Sequence, residues 1–279
     1  MTHTHATAPT QFVNANGTRF AYRRFGAAQG HALVFLQHFT GTMDSWDPSV
    51  IDGFAHERPV ILFDNVGVGS SSGATPNTVR AMATDAVAFI AALGLGQVDL
   101  LGFSLGGFVA QVIAADHPEV ARRLILAGTG PEGGEGINQL GAVLARGEAT
   151  SPAEPRLYLF FDGTEVSQGA GKAFIERQGR RATNRDPNST DQAVAAQFAA
   201  IVSWGGPSNS VAGAPVHQLM LPVLIVNGKT DVMVPTQNSY TLFQQSPDAK
   251  LVLYPDSGHG ALFQYADAFV KEGLQFLAA

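Results

Sequence analysis

Short apolar runs recur along the chain, separated by stretches whose apolar positions fall three and four residues apart. The runs lie at 32–36 (ALVFL), 60–63 (VILF), 98–101 (VDLL), 124–127 (LILA), 223–226 (VLIV) and 250–254 (KLVLY). Runs this short and nearly unbroken suit strands buried on both faces. Between them, Val79, Met82, Ala86, Phe89, Ile90 and Leu93 place one apolar stripe on a helix over 78–93. A helix over 105–116 is rich in Gly and Ala at its start and can pack closely on a sheet, and one over 267–277 gathers Phe269, Val270, Leu274 and Leu277 on one face. Ahead of all these, QFVNANGTRFAYRRFG reads as two strands joined at Asn16-Gly17, a dipeptide suited to a tight hairpin. Alternating strands and helices predict an α/β domain with a mostly parallel sheet covered on both faces.

One stretch breaks the alternation. From 131 to 215 no convincing strand appears, and the composition turns to Gly, Ala, Gln and Arg. Helical fragments are expected near 138–144, 172–179 and 190–204, so this stretch reads as a helical cap inserted into a core of 1–130 and 216–279. A structureless loop of that length is improbable inside a folded domain.

Composition narrows the partners more than the fold. Of 279 residues, 45% are hydrophobic and 14% charged, and the net charge is −6. That balance gives no basic surface for nucleic acid or anionic lipid. Cysteine is absent, which removes disulfides, a thiol nucleophile and thiolate metal ligands. No secretory leader or long apolar span is visible in the sequence, so a cytoplasmic protein without membrane contact is expected. The absence of H-x-x-x-H or H-E-x-x-H spacing leaves no expected metal site, and no cofactor is expected.

The candidate chemistry starts at Gly102-Phe103-Ser104-Leu105-Gly106. A nucleophilic serine needs a strand to deliver it, a sharp turn to lift its hydroxyl, and a helix starting directly behind it. Ser104 has all three, with glycines two positions either side to relieve crowding. Gly69-Ser70-Ser71-Ser72-Gly73 shows the same spacing, but its strand ends at Asp64 and Gly73-Ala74-Thr75-Pro76 separates it from the next helix.

With these elements the chain resembles an α/β-hydrolase-fold serine hydrolase, of the esterase or lactonase kind, over nearly its whole length. The resemblance implies the order nucleophile, acid, histidine along the sequence. His259, bracketed by Gly258 and Gly260 after the last strand, then takes the place of the general base. His3, His5, His31, His56 and His117 read as tail or surface residues, His3 and His5 in a mobile tail, and His217 falls at the exit of the cap. Asp231, in VLIVNGKTDVMVP, takes the place of the orienting acid ahead of its rival Asp256. The oxyanion donors become the backbone N–H groups of Leu105 and Phe39, although Gln37-His38-Phe39-Thr40-Gly41 replaces the His-Gly-x-Pro-Gly pattern of the family. The segment FDNVGVGSSSG matches a structural turn of that family at Asp64, Gly67, Gly69 and Ser71.

The reaction so implied is hydrolysis of a carboxylic ester, lactone or related acyl bond through an acyl-enzyme on Ser104. His38, Phe103, Phe160, Phe161, Trp204 and Leu262 are the expected pocket walls, which favour small to medium apolar or aromatic esters. Three alternatives share the fold: a cofactor-free perhydrolase or haloperoxidase-like enzyme, a carbon–carbon bond hydrolase, and a ligand receptor. Oligomeric state is left open by the sequence.

Overall fold

The apolar runs become the middle of a single sheet. The computed structural model describes residues 3–207 and 219–279. Its strands are β1 (Gln11–Ala15), β2 (Thr18–Gly26), β3 (Leu33–Leu36), β4 (Pro59–Phe63), β5 (Val98–Phe103), β6 (Ala121–Ala127), β7 (Val223–Gly228) and β8 (Ala249–Tyr254). They lie side by side in the order β1-β2-β4-β3-β5-β6-β7-β8. Neighbours from β4 through to β8 pair in parallel, while β2 runs antiparallel to both β1 and β4. Every residue of β3, β4, β5 and β7 is buried, whereas the edge strands β1 and β8 alternate toward solvent. That contrast is why the inner strands read as continuous apolar runs. The hairpin turns at Asn16 (φ 46°) and Gly17 (φ 77°), with Ala15 paired to Thr18. Positive φ at both central residues is the turn that fits the twist of a two-residue hairpin.

Helices follow most of the parallel strands. They are α1 (Pro48–Ala55), α2 (Val79–Ala92), α3 (Leu105–Asp116), α4 (Leu140–Thr150), α5 (Arg156–Phe160), α6 (Glu165–Gln178), α7 (Asp191–Trp204), α8 (Gln237–Gln245), α9 (Ala261–Gln264) and α10 (Ala266–Ala278). Helix α2 packs against α3, and α1 against α10. The Thr78 side chain caps α2 by accepting from Ala81 N, a contact worth about 1 kcal/mol.

Between β6 and β7 the described residues hold α4 to α7 and no strand. The expected fragments fall on these helices with shifted ends. The first straddles a short 3₁₀ turn at Ile137–Gln139 and the start of α4, and the second is only the C-terminal half of α6, whose start is fixed by Thr164 accepting from Ser167 N. The end of this stretch, with His217, lies outside the described residues.

The N-terminal leg corrects one expectation. His5 is fully buried rather than carried on a mobile tail; its Nε2 bonds to the Met43 carbonyl at 3.0 Å and its backbone N–H to Asp52 Oδ1 at 2.6 Å. The Arg181 guanidinium, beyond α6, donates to the carbonyls of His5, Ala6 and Ala8. No helix among the described residues is long and apolar enough to cross a membrane.

Candidate active site

Ser104 sits at the junction of β5 and α3 with φ 55° and ψ −118°. A non-glycine residue in that region costs on the order of 1–3 kcal/mol, so its surroundings must enforce it. They do. Ser104 N donates to the Ala127 carbonyl on β6 at 2.9 Å, and its own carbonyl accepts from Thr129 Oγ1 at 2.9 Å. A Cβ on Gly102 would lie 2.4 Å from the Gly106 carbonyl oxygen, and one on Gly106 would lie 2.0 Å from that of Leu36. Both flanking glycines are therefore demanded by backbone contact. The rival Ser71 is tied up: its hydroxyl donates to the Asp64 carbonyl and accepts from Ala21 N.

His259 and Asp231 come from the loops after β8 and β7. His259 Nδ1 lies 2.8 Å from Asp231 Oδ2, and both side chains are essentially unexposed. The other carboxylate oxygen accepts from Met233 N at 2.8 Å and Val234 N at 2.9 Å, which fixes the acid's orientation. A carboxylate can only accept, so Nδ1 carries the proton and Nε2 is left with a free lone pair. The two loops touch so closely that a Cβ on Gly228 would lie 2.2 Å from the carbonyl oxygens of Ser257 and Gly258. Phe160 of α5 covers the histidine loop, and its carbonyl accepts from Gly260 N at 2.7 Å. Asp256 takes no part, since its carboxylate accepts from the Tyr265 hydroxyl instead.

Ser104 and His259 open onto one cavity of about 120 Å³. Of the expected walls, His38 and Phe160 line it as well, and so does Phe39, expected as an oxyanion donor. The N–H groups of Phe39 and Leu105 have no acceptor among the described residues. His38 donates from Nδ1 to the Phe39 carbonyl at 2.8 Å, leaving its buried Nε2 without a partner. Burial lowers the pKa of His38 to about 4, so its ring is neutral near pH 7.

Four expected walls lie elsewhere. Phe103 does not line the cavity itself but packs beneath its walls, with the His259 ring at 4.8 Å and the His38 ring at 5.3 Å between centroids. Trp204 stacks on Phe108 at 5.1 Å and donates to the Gly130 carbonyl, so it belongs to the core beside α3. Phe161 turns toward Phe174 and a separate surface trough. Leu262 is buried on α9 and does not reach the cavity.

Sequence reading missed Thr40, Leu144, Arg156, Leu159 and Met233, which complete the cavity wall. Met233 stands two residues past Asp231, which was the available signal; nothing in the pattern singled out Arg156. Each nitrogen of that guanidinium has a partner. Its Nε and Nη2 reach the two oxygens of Glu154 at 2.7 Å each, and Nη1 reaches Gln178 Oε1 at 2.6 Å.

Residues 31–265 match the family described as the alpha/beta hydrolase fold. The chain belongs to that family. It is similar to an alpha/beta hydrolase fold protein from Chitinophaga pinensis, with 44% identity, a TM-score of 0.95, and 99% of this chain and 100% of that one covered. Among curated proteins it is similar to a putative non-heme bromoperoxidase of Mycobacterium tuberculosis, 24% identical over 90% of this chain and 95% of that protein. It is also similar to the 2-hydroxy-6-oxo-6-phenylhexa-2,4-dienoate hydrolase of Burkholderia cepacia, 26% identical over 100% and 99%. An enol-lactonase from Burkholderia xenovorans LB400 shares the fold, with a TM-score of 0.77 at 18% identity over 96% and 100% of the two chains.

Proposed function

We propose that this alpha/beta hydrolase is a serine hydrolase cleaving a carboxylic ester or lactone, with Ser104 as nucleophile, His259 as base and Asp231 as orienting acid. The observation that carries the reading is a 2.8 Å His259–Asp231 pair opening on the same cavity as a serine held at φ 55°. In the first half-reaction Ser104 Oγ attacks the acyl carbon while its proton passes to His259 Nε2. The oxygen of the tetrahedral intermediate accepts from the N–H groups of Phe39 and Leu105. One such donor is worth about 2.7–4 kcal/mol in the transition state. His259 then returns the proton to the departing alkoxide. In the second half-reaction it takes a proton from water as that water attacks the acyl carbon, then gives the proton to Ser104 Oγ as the acyl–oxygen bond breaks and a carboxylic acid leaves.

An ester or lactone is favoured over a dienoate for a charge reason. A dienoate carries a carboxylate, and the cation on the cavity wall, Arg156, already has its three nitrogens engaged by Glu154 and Gln178. The test is labelling by a fluorophosphonate together with turnover of p-nitrophenyl esters. Both should vanish in Ser104→Ala, with kcat/KM lower by at least about 10⁴-fold. Ester turnover surviving in that variant overturns the reading.

A further inference from the structure

We infer that the site extends into a second, apolar compartment that takes the uncharged hydrocarbon arm of the substrate. This rests on the hydrolase reading above and adds the class of group attached to the scissile bond. A groove of about 560 Å³ lies between α4, α5 and α7, larger than the cavity that holds Ser104. Phe39, Leu144 and Leu159 line both spaces, so the apolar wall runs from one into the other. Val194 and Phe198 of α7 carry that wall outward, and both are only half-buried. The charged groups along the groove are Glu148 and Asp191, and both are acidic. An alkyl or aryl arm gains by burial there at about 25 cal/mol per Å² of apolar surface, whereas an arm ending in a carboxylate meets two like charges. The substrate is accordingly an ester or lactone with a compact reacting end and an extended, neutral, apolar arm.

The experiment is a series of alkyl fluorophosphonates, ethyl to decyl, scored by the rate of Ser104 labelling, with matching p-nitrophenyl esters. Labelling should rise at least tenfold along the series, and Val194→Trp should remove most of that rise while slowing the ethyl probe far less. A carboxylate-tipped ester should be at least tenfold poorer than its methyl-tipped counterpart, with Glu148→Gln/Asp191→Asn narrowing the gap. Equal labelling at every length overturns the groove and leaves the hydrolase reading standing. No labelling by any probe overturns the hydrolase reading itself.

A separate set of bonds points to Gln197 as a positioning residue for the oxyanion loop. Thr40, next to Phe39, holds φ 61°, a region a β-branched residue rarely enters. Two side chains from between β6 and β7 hold it there: Gln197 Oε1 accepts from Thr40 N at 2.7 Å, and Ser189 Oγ donates to the Thr40 carbonyl at 2.9 Å. Gln197 is fully buried, and its Nε2 finds no partner, so its packing serves the one bond to Thr40. The geometry assigns it the task of keeping the Phe39 N–H aimed at the cavity. Gln197→Leu should lower kcat by tenfold or more with KM little changed, and weaken a trifluoromethyl ketone inhibitor in step. Gln197→Glu, which keeps an acceptor for Thr40, should recover most of the loss. Unchanged kcat in the leucine variant, a loss confined to KM, or equal losses in both variants alongside a fall in Tm would overturn the assignment.

Discussion

Two buried polar centres in this protein look alike by distance and burial, yet among the described residues only one lines a cavity. Beside the His259–Asp231 pair stands a second centre where β2, the loop after β3 and the chain after α6 converge. There Arg23 binds Asp44 at 2.6 Å and Asp186 at 2.7 Å, and all three side chains are nearly or wholly unexposed. Asp186 N donates to Asp44 Oδ2, and Ser70 Oγ donates to Asp186 Oδ1. Neighbouring Asp64 is pushed well above the ordinary carboxylate range, first by burial and then by the Asp186 charge, although it accepts from Met43 N and Ser70 N. A search for perturbed acids would stop at this second centre. Its bonding is turned wholly inward, joining the core to the stretch after α6. At the first centre Nε2 of the imidazole and the serine hydroxyl are left facing a cavity. Unused bonding capacity beside an open volume distinguishes the proposed reactive centre, more than pairing or a shifted titration does.

The largest test of that contrast is Asp231→Asn, which should cut kcat by roughly 10³–10⁴-fold by favouring the wrong imidazole tautomer, with Tm almost unmoved. Steady-state kinetics beside a thermal melt reads both halves. Arg23→Met should do the opposite. Leaving Asp186 buried without its cation, and Asp44 with only Arg181 at 3.6 Å, costs about 3–5 kcal/mol in urea denaturation, while kcat/KM of the folded fraction stays close to wild type. An equal collapse of activity in the still-folded Arg23 variant would erase the distinction between the two centres.

A smaller effect concerns pH. His5 is lowered to about 4, chiefly by burial, with a bond to Met43 opposing the shift. The folded state disfavours the charged ring, so its contribution is complete above the unfolded value near 6.5 and is lost as pH falls toward 4. At most about 3 kcal/mol disappears across that window. His38, lowered similarly, adds a second loss of the same sign. His5→Leu should flatten the slope of Tm between pH 7 and 5, and an unchanged slope would remove His5 from the account. Least of all, Asp256→Asn should change kcat by under about threefold, since its partner is Tyr265 and not His259.

The sheet and the serine turn were legible because one constraint dominated each. Double-sided burial forces unbroken apolar runs, and backbone contact at Gly102 and Gly106 leaves glycine as the residue that fits. The loops carrying Asp231 and His259 were readable through their positions after β7 and β8. The helical stretch was read more poorly. Its α6 is largely polar, so periodicity found only the half ending near Gln178. The expected walls failed for a related reason: abundance near a site does not say which face a side chain takes, and Phe103, Phe161, Trp204 and Leu262 each pack into something else. His5 was misread because what buries it includes Arg181, far away along the chain.

The loop bearing His259 hangs from the Phe160 carbonyl by the Gly260 N–H bond of 2.7 Å. Under the proposed mechanism, reshaping α5 to admit a bulkier compound therefore also tugs on the proton carrier. Selectivity and turnover are then mechanically yoked, and on that reading an engineer who redraws α5 will find the rate drifting with it.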